Sequence, residues 1–250
     1  MITVVARHEC TTLLRSGQTW TMAALLAGLF GYLFLRQLEV FIDVQAQLAI
    51  QDHPTGLSGF MSVRYLEPLA LAFTLVAPLF AMRSFSDEFR QQTYALWQSS
   101  PVSTTSLVIG KFLGVLSVLA GLVLLAVMML FLMRAFVVLD LALLLTACLG
   151  LLLCTAACTA CGLYFSSLTK HSLIAIVSSL ALLLILWIIG SASSSTFAFQ
   201  SLSALSLTTH LHGFFQGYIR TADLAYFILM TALFLGLTII RLDALRQHGR

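Results

Sequence analysis

Charge is what this sequence has least of. Only 23 of its 250 residues are Asp, Glu, Lys or Arg, where a water-facing domain of this length carries about a quarter. A soluble globule is thereby excluded. The chain has no Lys/Arg cluster, which removes nucleic acid as a partner. Its five cysteines also fail to make a framework: Cys148, Cys154, Cys158 and Cys161 fall inside one apolar run and Cys10 stands alone near the N-terminus, so a disulfide scaffold is not expected.

What fills the chain instead is apolar sequence, 60% hydrophobic with a mean hydropathy of +0.99. A helix needs about 17–25 apolar residues to cross a bilayer core of about 30 Å. Six such runs can be drawn, at Thr19–Leu35, Pro68–Met82, Leu107–Met133, Leu141–Phe165, Leu173–Ile189 and Leu224–Ile240. The second is the shortest and is expected to extend past Glu67. The fold class is therefore all-α, a polytopic membrane protein of six spans forming a single domain over residues 1–250.

Orientation is read from the charges outside the spans, because Lys and Arg accumulate on the cytoplasmic side. With both termini inside, the inner set is Arg7, Arg15, Arg83, Arg90, Lys111, Lys170, Arg241, Arg246 and Arg250 against Glu9, Asp87, Glu88 and Asp243, a net of +5. The outer set, Arg36, Arg64, Arg134 and Arg220 against Glu39, Asp43, Asp52, Glu67, Asp140 and Asp223, nets −2, and the two together give the chain's +3. The expectation is N-in and C-in.

Residues 1–16, MITVVARHECTTLLRS, mix apolar and basic residues at helical spacing, which predicts a short helix lying at the inner membrane face. The competing reading is a cleaved signal peptide ending near Val44 and Ala46; the long basic lead and the distance from the apolar run speak against it. On the outer side, residues 36–67 contain the turn signal His53-Pro54-Thr55-Gly56. Residues 190–223 are Ser-rich and then aromatic, at Phe197, Phe199, Phe214, Phe215 and Tyr218, which predicts short half-inserted helices.

The segment RSFSDEFRQQTYALWQSSPVSTTSLVIGK, Arg83 to Lys111, interrupts the apolar sequence with five charges. Ser84 or Ser86 can cap a helix with Asp87 and Glu88 in its first turn, near the positive end of the helix dipole. Phe85, Phe89 and Leu96 then share a face, and Arg90, Gln91 and Gln92 turn away, giving an amphipathic cytoplasmic helix. Ser99-Ser100-Pro101 ends it, Ser103 can cap the third span, and Lys111 can snorkel to the headgroups.

This loop, with its E-R, T, L, S-P-V-S and G-K progression, resembles the loop between the second and third spans of ABC-2 type transporter permeases. The nearest resemblance is to the branch of the gliding-motility and nitrous-oxide-reductase maturation permeases, and THLHGFFQGYIRTADLAYFILMTALFLGLTIIRLDALRQ around the last span resembles the same branch. The resemblance implies a cytoplasmic coupling helix within residues 83–106 that docks into a groove of an ATP-binding cassette ATPase subunit. It implies that Glu88, Arg90, Thr93, Leu96 and Pro101 make that contact, with Phe85 and Phe89 on the same helix adding to it. It further implies an exporter in the bacterial inner membrane, working as a homodimer or as a heterodimer with a related permease in membrane lipid. ATP and magnesium would belong to the partner, and this chain would itself bind no cofactor and perform no covalent chemistry.

Other motifs are weighed against plainer roles. Gly110-Lys111 is not a phosphate-binding loop, because Thr105 and Phe112 stand where the motif needs Gly and Ser/Thr. Gly110, Gly114, Ser117 and Gly121 recur at helical spacing and suit close helix packing. Cys158 and Cys161 suit packing better than a soft metal, and no metal site is expected. His210 and His212 place two imidazoles on one side of an extended segment, or serve a local structural role. Glu67 at a span mouth and Pro78 inside the second span are candidates for a substrate path or for helix movement. Rival readings are an ion-coupled secondary carrier, which would bury charge at mid-membrane, and a scaffold subunit of a larger assembly. An intramembrane enzyme lacks its paired catalytic groups in this sequence.

Overall fold

The computed structural model describes residues 1–48, 63–90, 103–132, 140–191 and 204–248. The described chain is all helical: α1 (Ile2–Arg15), α2 (Gly17–Leu48), α3 (Leu66–Ala81), α4 (Arg83–Arg90), α5 (Thr104–Leu132), α6 (Leu141–Leu168), α7 (Ser172–Ser191), α8 (Leu207–Phe215) and α9 (Thr221–His248). Six spans in this set, α2, α3 with α4, α5, α6, α7 and α9, are long and apolar enough to cross a membrane. Five of the predicted runs fall within them, and the third, Leu107–Met133, does so as far as Leu132, Met133 lying outside the described residues.

Polar residues set the helix ends. Asp140 caps α6, its Oδ1 accepting from Ala142 N at 3.0 Å and Leu143 N at 3.4 Å. Ser103 caps α5 as expected, Oγ accepting from Ser106 N at 3.3 Å. Behind α8, Gly217 adopts φ 84°, and Tyr218 N donates to Gly213 O at 3.0 Å while Gly217 N donates to Phe214 O at 3.2 Å. These two bonds close a Schellman turn that needs a residue free to take positive φ.

The centre of the molecule is α6, which packs against α3, α4, α5, α7, α8 and α9. Its middle, Cys154 to Leu163, consists largely of small residues that are buried, and small residues let helix backbones approach where lipid supplies no hydrophobic drive. At Gly162 an added Cβ would lie 2.9 Å from Ala81 Cβ and 3.0 Å from Pro78 Cα. Pro78 thus sits buried in α3 against α6, and α3 continues helically past it to Ala81. Cys154 and Cys158 both turn to the Thr74 hydroxyl of α3, at 4.0 and 3.9 Å.

The outward faces are apolar. Trp20, Leu25, Tyr32 and Leu35 of α2 and Leu173, Val177, Ile185 and Ile188 of α7 are exposed, the reverse of a protein that faces water and the pattern required of helices surrounded by lipid tails.

Candidate functional site

Two ends of the bundle carry its polar chemistry. The first is where α3 passes through Met82 into α4, beside the start of α5 and the whole of α1. Lys111 of α5 is only 3% exposed there, and an ammonium removed from water must find partners for its three donors. It finds them on two helices: Ser84 O at 2.6 Å and Glu88 Oε1 at 2.8 Å on α4, and Glu9 Oε2 at 3.4 Å on α1. Ser84 Oγ donates to the other oxygen of Glu9 at 2.9 Å, and the Phe85 ring lies 5.1 Å from the ammonium.

Glycine makes this meeting possible. Val5 and Glu9, one turn apart on α1, lie over Gly110 and Gly114, one turn apart on α5; a Cβ at Gly110 would lie 2.7 Å from Val5 Cβ, and one at Gly114 2.6 Å from Glu9 Cβ. Lys111 is next to the first of these glycines, so seating α1 also delivers Glu9 to it. The stripe suited to packing does pack within the chain at Gly110 and Gly114, whereas nothing lies within 4 Å of a Cβ at Gly121.

α4 is also clamped to α6 and α7. Ser166 Oγ accepts from the backbone N–H groups of Phe85 and Ser86 at 3.2 and 3.1 Å and donates to Met82 O at 2.7 Å, and Ser86 Oγ donates to Ser166 O at 3.0 Å. Ser172 Oγ, at the start of α7, donates to Asp87 Oδ1 at 3.0 Å. Arg83 Nη1 donates to Gln18 Oε1 of α2. A cleft of about 300 Å³ between α1 and α4 is lined by His8, Glu9, Arg83, Asp87, Glu88 and Lys111, among others.

Several expectations are corrected by these contacts. α4 begins directly after α3, so Ser84 and Ser86 bind Glu9 and Ser166 instead of capping, and Asp87 and Glu88 fall in its second half. Lys111 does not snorkel outward, because two carboxylates inside the protein hold it. Phe85 is fully buried, Phe89 packs against the core, and Arg90 is 64% exposed, 3.7 Å from Asp87. Thr93, Leu96 and Pro101 lie outside the described residues. The ammonium with its two carboxylates escaped sequence reasoning because Glu9 and Lys111 are 102 positions apart; the available signal was a lysine flanked by two glycines at helical spacing.

At the other end of the bundle, α8 packs into α6 and α7. A Cβ at Gly150 of α6 would lie 2.6 Å from Phe214 Cβ, and one at Gly190 of α7 would overlap the Ser206 and Thr208 hydroxyls. The two histidines sit on a helix, not an extended segment, and therefore diverge. His210 meets Asp223 Oδ1 of α9 at 2.6 Å and Ala204 O at 3.0 Å and stacks on Tyr226 at 4.2 Å. His212 instead faces Gln216, 2.9 Å away, and a cavity of about 360 Å³ shared with Glu67, Trp187 and Thr208. Glu67, in the first turn of α3, is exposed.

Six long apolar helices around a small-residue core define a multi-pass α-helical membrane protein. The chain matches the ABC-2 family transporter protein over residues 3–244 and belongs to that family. No curated protein matches it. Members of this family are the membrane subunits of a transporter and not its ATPase.

Proposed function

We propose that the chain is the permease subunit of an ATP-driven exporter in a bacterial inner membrane, with both termini cytoplasmic and the α4 end facing an ATP-binding cassette subunit. Family membership and the +5 against −2 charge distribution support this reading. The single observation that carries the mechanism is how α4 is held. Its backbone and side chains are bonded to α1, α5, α6 and α7 at once, so a push on the residues that follow Arg90 reaches the whole end of the bundle instead of bending a free loop.

In this mechanism ATP and magnesium bind the partner, whose closure moves the segment from Phe85 to Pro101. Phe85, Glu88 and Phe89 anchor that segment to the permease; Arg90, Thr93, Leu96 and Pro101 present it to the ATPase. The displacement passes through Lys111 to α5 and α1 and along α3, past Pro78, to Glu67 at its far end. A second permease copy or a relative completes the path in the lipid. α1 lies at the inner membrane face and α8 enters the outer half of the bundle.

Docking is best tested away from Glu88, because reversing a charge beside buried Lys111 would disturb the permease itself. Arg90→Glu and Leu96→Asp should each abolish recovery of an ATPase with the tagged chain from native membranes, with an unchanged thermal midpoint. A permease that folds but never recovers an ATPase, in any mild detergent, would overturn the reading in favour of a carrier or scaffold.

A further inference from the structure

The cavity at the α8 end has a chemistry that export by itself does not explain. Glu67 from α3, Trp187 from α7, and Thr208 and His212 from α8 share its wall. Among the described residues no basic side chain pairs with Glu67. His212 Nε2 lies 2.9 Å from the Gln216 side-chain amide nitrogen at the edge of this wall. A carboxylate that no Lys or Arg among the described residues pairs with shares a wall with an indole ring, in a space of about 360 Å³, within the range of roughly 300–1,000 Å³ usual for small-molecule sites.

We propose that this cavity binds an alkylammonium group. Glu67 supplies the opposite charge. Trp187 offers the aromatic face that attracts a poorly hydrated cation. Thr208 and His212 offer hydrogen-bonding groups. An anion would meet the carboxylate and neither a Lys nor an Arg of the lining. A metal ion would find too few ligands, since no three His, Cys, Asp or Glu side chains gather among the described residues. The site is built by tertiary contact: Gly190 lets α8 sit against α7, since a side chain there would overlap Ser206 and Thr208.

Glu67 and Arg83 are 16 residues apart on the α3–α4 rod, about 24 Å at the helical rise. An ammonium held at Glu67 would therefore sit at the far end of the helix pair that α4 moves. That link to transport rests on the permease reading; binding does not.

The test uses the purified full chain in phosphatidylglycerol nanodiscs, titrated calorimetrically with choline, its neutral isostere 3,3-dimethylbutanol, and zinc chloride. Choline should bind saturably, dimethylbutanol at least about tenfold more weakly, and Glu67→Gln and Trp187→Leu should each weaken choline about tenfold or more. His210→Ala, which alters a neighbouring contact of α8 outside this cavity, controls for general loosening and should retain choline binding. Nanodiscs of phosphatidylethanolamine then identify the source. Weaker apparent choline binding there shows a lipid headgroup in the site, and unchanged binding shows a free solute. The proposal is overturned if choline does not bind, if dimethylbutanol binds equally well, if Glu67→Gln has no effect on a folded chain, or if only zinc binds. Failure here with the ATPase still recovered would leave the permease reading intact.

Discussion

Lys111 Nζ lies 2.8 Å from Glu88 Oε1, so the first buried turns of α5 carry the charge that fixes α4. Glu9 completes the arrangement from α1. The consecutive helices α4 and α5 and the distant α1 are thereby joined at one nitrogen.

Lys111→Met should destabilise the protein by about 3–5 kcal/mol, because it leaves two carboxylates, 14% and 19% exposed, beside each other without their cation. Thermal unfolding in detergent measures this. Adding Glu88→Gln should recover part of the loss, with a coupling of roughly 1–3 kcal/mol. Purely additive effects would show that the pair does not act together.

Gly114→Ala and Gly121→Ala should behave oppositely, although both stand on α5. At Gly114 the new Cβ would lie 2.6 Å from Glu9 Cβ and 2.9 Å from the Ala6 carbonyl, so α1 must shift; a loss of roughly 1–3 kcal/mol is expected. At Gly121 nothing lies within 4 Å, and the helix should gain about 0.4–1 kcal/mol. Comparing their thermal midpoints decides the matter.

His210→Ala should cost roughly 1–3 kcal/mol, since it leaves Asp223, 9% exposed, without its partner and removes the stack on Tyr226. His212→Ala, on an exposed ring, should stay within about 0.5 kcal/mol. Protease resistance of α8 gives a second readout, falling only in the first variant.

Topology is checked by labelling in whole cells. In a chain with its five cysteines replaced, Tyr218→Cys should react with a membrane-impermeant maleimide from outside, because Tyr218 is 64% exposed at the α8 end. Thr3→Cys should react only after lysis. The opposite pattern would invert the orientation and place α4 away from any cytoplasmic ATPase.

The spans were legible because hydropathy sums locally. Local hydropathy predicts Leu141–Phe165, and the helix runs Leu141–Leu168. The first apolar run ends at Leu35, yet α2 continues through Arg36, Glu39 and Asp43 to Leu48; charge ends an apolar run, whereas the backbone ladder of a helix needs no apolar side chains. The extended-segment reading of His210 and His212 fails for a related reason, whereas the local structural role fits His210. Two residues apart share a side in a strand and diverge in a helix, and nothing local in Thr-His-Leu-His chose between them; what fixes α8 is Phe214 packing at Gly150 and the Ser206 cap.

By itself the sequence determined that this multi-pass membrane protein carries six runs long and apolar enough to cross a bilayer and that Arg83–Lys111 interrupts them, since both follow from composition along consecutive residues. Only the tertiary structure decided what the charges do. Lys111 is buried between two acids instead of reaching headgroups, and Glu67 shares a cavity with Trp187 and His212, because a charge's environment is set by which helices meet around it.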